Sequence, residues 1–323
     1  MPTLTRVART SAATLDHVFL VGETATDSTT TVTVAVTDAN GATVISGNAT
    51  SAGAATGRYT FPLPGQALLG LLTVAWSATI AATAVTEQDQ VEITGGFLFT
   101  LVEGRGSDES LTSTTKYPTA KLVEARLEVE QECEEICDRA FVPRYRRALL
   151  DGTGTSELVL PTSDVRSIRA VRMAPRAGGT FTAFTASELA ALVATEAQVL
   201  RRVDSNVFTE GLANVIVEYE HGWDAPPADL KKAALQRLRS RLNLTRTNIP
   251  DRAASFVSSE GGTYRLTLPA KYQTGLPEVD AIYARYSRRA SSEDGEGGTS
   301  GGPASRTLDF DPQYYSLYHG GRR

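Results

Sequence analysis

One segment near the middle of the chain constrains the fold most, because it can form a helix that is apolar along a single side. Pro118 stands where such a helix could begin, since the first turn does not need its missing N–H. Apolar residues then recur at the three- and four-residue spacing of one helix face, namely Leu122, Ala125, Val129, Cys133, Ile136 and Ala140. Acidic residues fill most of the other positions: Glu124, Glu128, Glu130, Glu132, Glu134, Glu135 and Asp138. The spacing predicts a long amphipathic helix packed against a core.

Two further helices and several strands are predicted in the same half of the chain. A helix opens after Pro226-Pro227 and runs to about residue 244, with an inward stripe of Leu230, Ala234, Leu238 and Leu242. A shorter helix over 277–288 turns inward Val279, Ile282, Tyr283 and Tyr286. Strands are predicted over 145–150, 157–160, 165–173 and 214–220, and the glycine-rich turn 151–155 is expected to join the first two as a hairpin. Together these elements predict an α+β domain over 117–290.

The N-terminal 95 residues predict an all-β domain. Short runs rich in threonine, valine and aromatic residues occupy 18–21, 31–37, 42–46, 58–63, 73–80 and 90–94. Asn40-Gly41 supplies residues that tolerate the positive φ of a tight hairpin turn. Six strands in this span predict an immunoglobulin-like sandwich. Residues 96–116 are expected to be a linker, and residues 291–323, rich in glycine and serine, a disordered tail.

Composition excludes several classes of function. The net charge of −5 and a pI near 5.4 argue against a protein that grips nucleic acid over a basic surface. Residues 1–95 carry 3 basic and 7 acidic side chains, whereas residues 96–290 carry 26 and 25, as expected of a surface that meets other proteins. The uncharged stretch from Gly65 to Thr86 is long enough to span a bilayer, but its recurring threonines favour strands, so no membrane span is expected.

Catalytic and metal-binding patterns find no support in the sequence. The histidines His17, His221 and His319 lie in separate regions, and the chain contains no nucleophile elbow, phosphate loop or His-Glu-x-x-His motif. Cys133 and Cys137 have no nearby Cys or His to complete a metal site, so they are predicted to pack in the core, and two cysteines make no disulfide framework. We therefore expect no enzyme activity, no cofactor and no metal.

Two sets of residues are candidates for binding partners. The first is a pair of oppositely charged helix faces: Glu124, Glu128 and Glu135 on one helix, and Lys231, Lys232, Arg237, Arg239 and Arg241 on another. The acidic face of one copy could meet the basic face of the next. The alternatives are a solvated face or a cation site for the acidic helix, and contact with DNA phosphates for the basic one.

The second candidate is an aromatic patch in the tail, comprising Phe310, Tyr314, Tyr315, Leu317 and Tyr318. Disordered tails are usually poor in aromatic residues. The patch is therefore predicted to be an anchor for a partner's groove, with folding back onto its own domain as the alternative.

The order of several short motifs resembles a known protein family. The motifs are Tyr117-Pro118-Thr119, Cys133-Glu134-Glu135-Ile136-Cys137, Phe141-Val142-Pro143-Arg144-Tyr145, Leu150-Asp151-Gly152, Val215-Ile216-Val217-Glu218-Tyr219, His221-Gly222-Trp223, Pro227 with Ala233-Ala234-Leu235, and Pro277-Glu278-Val279-Asp280. Over about residues 101–289 the chain resembles the head-to-tail adaptor (connector) proteins of long-tailed bacteriophages. The N-terminal β domain is an addition to the minimal family.

The resemblance implies a structural role in a virion. Such proteins form a homo-oligomeric ring, twelve-fold by expectation, beneath the portal protein at the capsid vertex, after assembly in the host bacterial cytoplasm. The ring extends a channel through which double-stranded DNA passes without sequence-specific binding, and it presents a surface to a stopper or tail-completion protein. The tail would reach the portal, and the Ig-like domain would project outward or contact the capsid protein. The alternative function is a phage or cell-surface adhesion or carbohydrate-binding module.

Overall fold

The computed structural model describes residues 4–53, 56–195, 198–244 and 272–288. It also describes the backbone of two short strand pairs outside these ranges. Those pairs join Ser255–Val257 to Thr263–Arg265 and Tyr315–Ser316 to Gly321–Arg322. The described chain is mostly β, with several sheets and a few helices. Residues 4–94 form only strands and are called the N-terminal domain below, and the mixed part that follows is called the second domain.

The N-terminal domain consists of two facing sheets. Its strands are β1 (Leu4–Ala8), β2 (Ala13–Val18), β3 (Leu20–Val21), β4 (Thr24–Ala25), β5 (Thr33–Thr37), β6 (Thr43–Asn48), β7 (Thr50–Ser51), β8 (Arg58–Leu63), β9 (Gly70–Ile80) and β10 (Thr83–Thr94). One sheet has the order β1-β10-β9-β5-β6 and the other β2-β8-β7, while β3 and β4 form a separate hairpin. β1 runs parallel to β10, and every other pair in these sheets is antiparallel.

Strand alternation explains why the stretch from Gly65 to Thr86 contains no charged residue. Along β9, Leu72, Val74 and Trp76 point inward and are buried, whereas Thr73 and Ala75 point outward and are half-buried. The apolar half of the stretch therefore lines the sandwich core. Among the described residues, no helix is long and apolar enough to cross a membrane.

The second domain combines helices with two small sheets. Its elements are α1 (Leu101–Gly106), a 3-10 helix (Glu109–Thr112), α2 (Thr119–Cys137), β11 (Arg144–Gly152), β12 (Glu157–Val159), β13 (Val165–Met173), β14 (Thr182–Ala183), α3 (Ala186–Ala190), β15 (Leu192–Ala194), β16 (Val199–Arg202), β17 (Gly211–His221), α4 (Ala228–Leu244) and α5 (Pro277–Tyr286). The sheets have the orders β11-β17-β13-β14 and β12-β16-β15. Their inner faces share one apolar core, which includes Leu158, Val171, Leu200 and Val217.

The three long helices pack around a core of their own, as their apolar spacing predicts. Leu122, Val129 and Cys133 of α2 lie in one cluster with Leu238 of α4 and Tyr283 of α5. The predicted inward stripes of α2 and α4 are confirmed by this burial.

The segment 96–116, predicted as a linker, is built into the helical core. Leu98, Phe99 and Leu111 are buried with the helices, and a capping box between Thr100 and Glu103 starts α1. The glycines and serines from which a linker was predicted therefore lie in and next to α1 and the 3-10 helix.

The predicted hairpin over residues 151–155 is wrong. β11 pairs with β17, and β12 pairs with β16 in the other sheet. The ladder is irregular next to Gly152, whose N–H donates to Asn214 Oδ1 at 2.8 Å, and the N–H of Gly154 then donates to the Phe208 carbonyl at 2.8 Å. These bonds carry the chain from one sheet to the other, so the turn residues connect two layers.

A glycine marks the point where the two domains meet. The N–H of Gly95, directly after β10, donates to the Pro143 carbonyl at 2.8 Å. A Cβ at Gly95 would lie only 2.6–2.7 Å from ring atoms of Pro143, whereas a Cβ at the neighbouring Gly96 would have nothing within 4 Å. Close approach of the backbone at Gly95 therefore requires the absence of a side chain.

We predict that Gly95→Ala destabilises the protein by about 1–3 kcal/mol, because the added methyl group must push the Pro143 ring away. Gly96→Ala is the matched control and should leave the free energy of unfolding unchanged or slightly raised. Urea unfolding of the two variants measures the difference, and equal stabilities would show that the contact tolerates a side chain.

Candidate functional site

A buried cluster of opposite charges joins the two domains. Arg6 of β1 contacts three carboxylates: its Nε lies 2.9 Å from Glu92 Oε2, its Nη1 3.1 Å from Glu130 Oε2, and its Nη2 3.0 Å from Glu134 Oε2. Arg144, at the start of β11, contacts Glu92 at 2.9 Å and also Glu134. The side chains of Arg6 and Arg144 are only 7% and 4% exposed, so this network is shielded from water.

Strand pairing and helix spacing place these groups together. Arg6 and Glu92 are direct partners in the β1–β10 ladder, so their side chains lie on the same face of the sheet. Glu130 and Glu134 lie four residues apart on α2 and therefore on one flank of that helix. The helix flank and the sheet face each bring carboxylates to the same guanidinium.

Burial and charge act against each other on the ionisable groups of the cluster. Burial raises the pKa of Glu130, even though Arg6 and Arg144 act to lower it and Leu98 N–H donates to its Oε1 at 2.9 Å. Burial would lower the pKa of Arg6, but Glu134 and the other carboxylates outweigh it, so this pKa is raised.

Arg126 adds a third buried arginine beside the cluster. Its guanidinium lies over the Phe97 ring at 3.5 Å from the centroid, and burial lowers its pKa. The neighbourhood therefore holds three arginines and three carboxylates.

A second contact zone fixes the sandwich to the sheet of the second domain. Arg172 Nη1 donates to Asn40 Oδ1 at 2.9 Å, Asn40 Nδ2 approaches Glu218 Oε2 at 3.5 Å, and Arg169 donates to the Leu69 carbonyl. Asn40 belongs to the turn predicted from Asn-Gly, which thus has a contact role as well as a conformational one. The β3–β4 hairpin lies toward the other end of the sandwich: Thr29 N–H, shortly after it, donates to the Thr79 carbonyl near the end of β9, whereas the turn with Asn40 follows Thr37, which pairs with Thr73 near the start of β9.

A cavity of about 400 Å³ opens beside the charge cluster. Its lining includes Arg139, Arg144, Arg146, Thr162, Gln198 and His221. Burial, followed by the nearby Arg146, lowers the pKa of His221 to about 4, so its imidazole is neutral at ordinary pH. The cavity is therefore polar, with guanidinium groups and hydroxyls as its main hydrogen-bond donors.

The charged helix faces predicted from the sequence pair largely within one chain. Arg237 Nε and Nη2 donate to the two oxygens of Glu132 at 2.7 and 2.8 Å, and Arg241 pairs with Glu128. The remaining contacts are Lys231 with Glu103 at 2.9 Å and Arg239 with Asp108 at 3.6 Å. Of the predicted set, Glu124, Glu135, Lys232 and Arg239 are exposed. A role for the set in contacts between copies stays a prediction.

The other predicted site residues are not brought together. The side chains of Phe310, Tyr314, Tyr315, Leu317 and Tyr318 lie outside the described residues. His17 lies in the β domain, where its Nδ1 is 2.8 Å from Asp89, far from His221 in the chain. Cys133 and Cys137 are buried, as predicted. Over the described ranges, no three His, Cys, Asp or Glu residues form a group that could hold a metal ion.

Comparisons with known proteins give no family assignment. No protein-family model matches the sequence, and no curated protein matches it significantly. Among solved structures, the chain is similar to one described as the neck of an empty GTA particle computed with C6 symmetry, at 18% identity over 59% of this chain and 89% of the other, with a TM-score of 0.40. A chain in the virion of a native gene transfer agent (GTA) particle matches at 16% identity over 59% and 89%, with a TM-score of 0.39. A native GTA neck computed with C12 symmetry matches at 17% over 52% and 82%, with a TM-score of 0.36. TM-scores below 0.5 do not establish a common fold.

We predict that Arg6→Met destabilises the protein by about 3–5 kcal/mol, because Glu130 loses its nearest guanidinium while it remains buried. The deficit should shrink at acid pH. The folded-state pKa of Glu130 is already raised, so on acidification this group takes up its proton early and no longer needs a partner.

Glu130→Gln in the Arg6→Met background tests this explanation by removing the unpaired charge directly. The double variant should recover part of the lost stability, and Arg9→Met, which removes an exposed arginine from the same edge of the domain, should change little. Thermal or urea unfolding measured from pH 4 to pH 8 provides the comparison. A deficit that is independent of pH and unrelieved by Glu130→Gln would contradict it.

We predict that Glu132→Gln lowers the stability of the isolated chain by about 1.5–3 kcal/mol, since Arg237 loses a two-point charged hydrogen bond. Lys232→Gln, on the exposed side of α4, should have no effect on unfolding. Similar unfolding curves for both variants would show that the α2–α4 pair contributes little within one chain.

Proposed function

We propose that the chain is a non-enzymatic structural subunit of the neck of a phage-type particle, a head-to-tail adaptor. The motifs on which the resemblance depends are spread over some 160 residues, yet they belong to connected parts of one domain. Tyr117-Pro118-Thr119 leads into α2, Phe141–Tyr145 joins α2 to β11, and His221-Gly222-Trp223 joins β17 to α4.

One aromatic cluster carries the proposal. Phe141, Trp223 and Tyr286 come from three separate motif regions, and their rings meet edge to face with centroids 5.5–6.0 Å apart. Such packing explains why these residue types stand where they do, since each ring completes the contact of the other two. The cluster ties α5 to the connections that follow α2 and β17. This supports a common fold for the motifs, beyond a coincidence of short patterns.

The N-terminal domain is inferred to be an immunoglobulin-like sandwich. The five-stranded sheet β1-β10-β9-β5-β6 faces the three-stranded sheet β2-β8-β7. This division of strands, with a Greek-key connection between the sheets, is typical of Ig-like domains. Because charge contacts hold the domain at its Asn40 end, the β3–β4 hairpin is free to meet a capsid or neck protein.

In the proposed assembly, copies of the chain form a ring, twelve-fold by expectation, between the portal protein and a stopper or tail-completion protein. Double-stranded DNA passes through the ring without base-specific contacts. The near balance of charge in the second domain suits this role, because strong phosphate neutralisation would hold the DNA in place. An adhesion module that binds carbohydrate finds less support. The exposed large apolar residues of the described β domain are aliphatic, so the domain lacks an aromatic platform for a sugar ring.

We predict that the isolated chain is monomeric and assembles into a ring when mixed with the portal protein of the same particle. Size-exclusion chromatography with light scattering measures both states. A variant lacking residues 306–323 should keep its fold, as measured by circular dichroism, but bind portal more weakly, because the aromatic anchor has been removed. Absence of any portal complex with the full chain would contradict the proposed function, and equal binding by the truncated chain would contradict the anchor.

A further inference from the structure

The cavity next to the charge cluster opens where the C-terminal tail leaves the folded domain. The hydroxyl of Ser287 donates to the Ile136 carbonyl at 3.1 Å, and the N–H of Arg288 donates to the Cys137 carbonyl at 3.0 Å. The next residues along α2's end, Asp138 and Arg139, line the cavity. Arg288, the last described residue before the tail, therefore lies within about 10 Å of the cavity, given the spacing of consecutive residues.

Arg146 is the group at this cavity whose charge is not matched by a neighbour. Arg144 is bound to Glu92 and Glu134, and Arg139 pairs with Asp164 at 3.0 Å. Arg146 is exposed, and it has no ion pair with any residue in the described part of the chain. The neutral His221 beside it adds no competing charge. This corner of the cavity consequently favours a carboxylate.

Exposed valines lie on the small sheet next to the cavity. Pro161 and Gln198 line the cavity. Pro161 follows β12 by two residues, and Gln198 directly precedes β16, so one end of the sheet β12-β16-β15 lies beside the cavity. Each strand pair of that sheet buries one face in the core, through Leu158 and Leu200. On the outer side, Val159, Val193 and Val203 are 65%, 48% and 61% exposed, and the same side carries the exposed ion pair of Arg201 with Glu157 at 3.9 Å. Three exposed valines beside one ion pair form a mixed surface that an aromatic side chain can contact through the valines and through the stems of the charged residues.

The tail carries acidic residues that could pair with Arg146, followed by aromatic residues that could contact the exposed valines. Asp309 and Asp311 flank Phe310, and the aromatic residues up to Tyr318 follow. The 20 residues between Arg288 and Asp309 have a root-mean-square reach of roughly 25 Å as a flexible chain. That reach exceeds the distance from the exit point to the cavity, and a tether of this kind gives an effective concentration of about a millimolar. Even a weak contact would therefore be occupied.

We propose that, in the free chain, segment 309–318 occupies this cavity and the adjoining valine face of the same molecule. The carboxylates of Asp309 and Asp311 pair with Arg146, and the aromatic side chains cover Val159, Val193 and Val203. A partner that takes the tail then uncovers the cavity and the valine face at the same moment. This contact lies within one chain, so it does not depend on the proposed role in a neck.

Disulfide crosslinking of the full-length chain tests the contact. Cysteines are placed at Gln198→Cys in the cavity lining and at Tyr314→Cys in the tail. The natural Cys133 and Cys137 are both fully buried, so they do not compete. Under mild oxidation at micromolar concentration, the pair should form an intramolecular bond at least 5-fold faster than a control pair of Lys232→Cys with Tyr314→Cys, in which the first cysteine is on the exposed side of α4.

Charge reversal then tests the chemistry. Arg146→Glu should slow the crosslink at least 5-fold without changing the unfolding temperature, because Arg146 is exposed and unpaired. Asp309→Arg with Asp311→Arg should slow it equally, and combining all three changes should restore it. Equal rates at the two cysteine positions, or no effect of Arg146→Glu, would overturn the proposal. Crosslinked dimers whose yield rises with concentration would assign the tail to a neighbouring copy instead, which also overturns it. All of these measurements use the chain alone, so their outcome is separable from any failure to bind portal.

Discussion

The burial of three carboxylates between the domains is the constraint on which the arrangement of the molecule depends. Glu92, Glu130 and Glu134 leave water only because Arg6 and Arg144 approach from two different strands. Buried ion pairs of this kind add little net stability over well-packed apolar residues, but breaking one is expensive. Their effect is therefore on geometry: any other placement of the sandwich on the helices would leave at least one charge unmatched in the interior.

This constraint also explains why α2 is so rich in glutamate. The helix has three charged flanks with different neighbours. Glu130 and Glu134 face the β domain, Glu128 and Glu132 face the arginines of α4, and Glu124 and Glu135 face solvent. The acidic residues of α2 thus supply two internal contacts and part of the exposed surface. Which role each glutamate has depends on the element that its side of the helix faces.

The spacing of apolar residues along the sequence correctly predicted the elements whose buried face depends on that spacing alone. The boundaries of β13 and the inward stripes of α2 and α4 agree with the structure, because side-chain periodicity alone sets which face is buried. The strands β1 and β2 were missed, and so was the importance of Arg6. Their stability comes from partners about 85 and 45 residues away along the chain, in β10 and β8, and no nearby residue signals such pairing. The hairpin over 151–155 was wrong for the same reason, since Asn214 and Phe208 decide where that turn goes.

The parallel pairing of β1 with β10 has a consequence for how the chain folds as it is synthesised. Leu4–Ala8 emerges from the ribosome well before its partner strand, which ends at Thr94, and the carboxylates that surround Arg6 extend to Glu134. Strand β1 must remain unpaired until about a quarter of the polypeptide has followed it, and non-local pairing of this kind is slow to form. Strand β1 therefore joins its sheet late, and Arg6 gains its full set of carboxylate partners only after α2 has been synthesised.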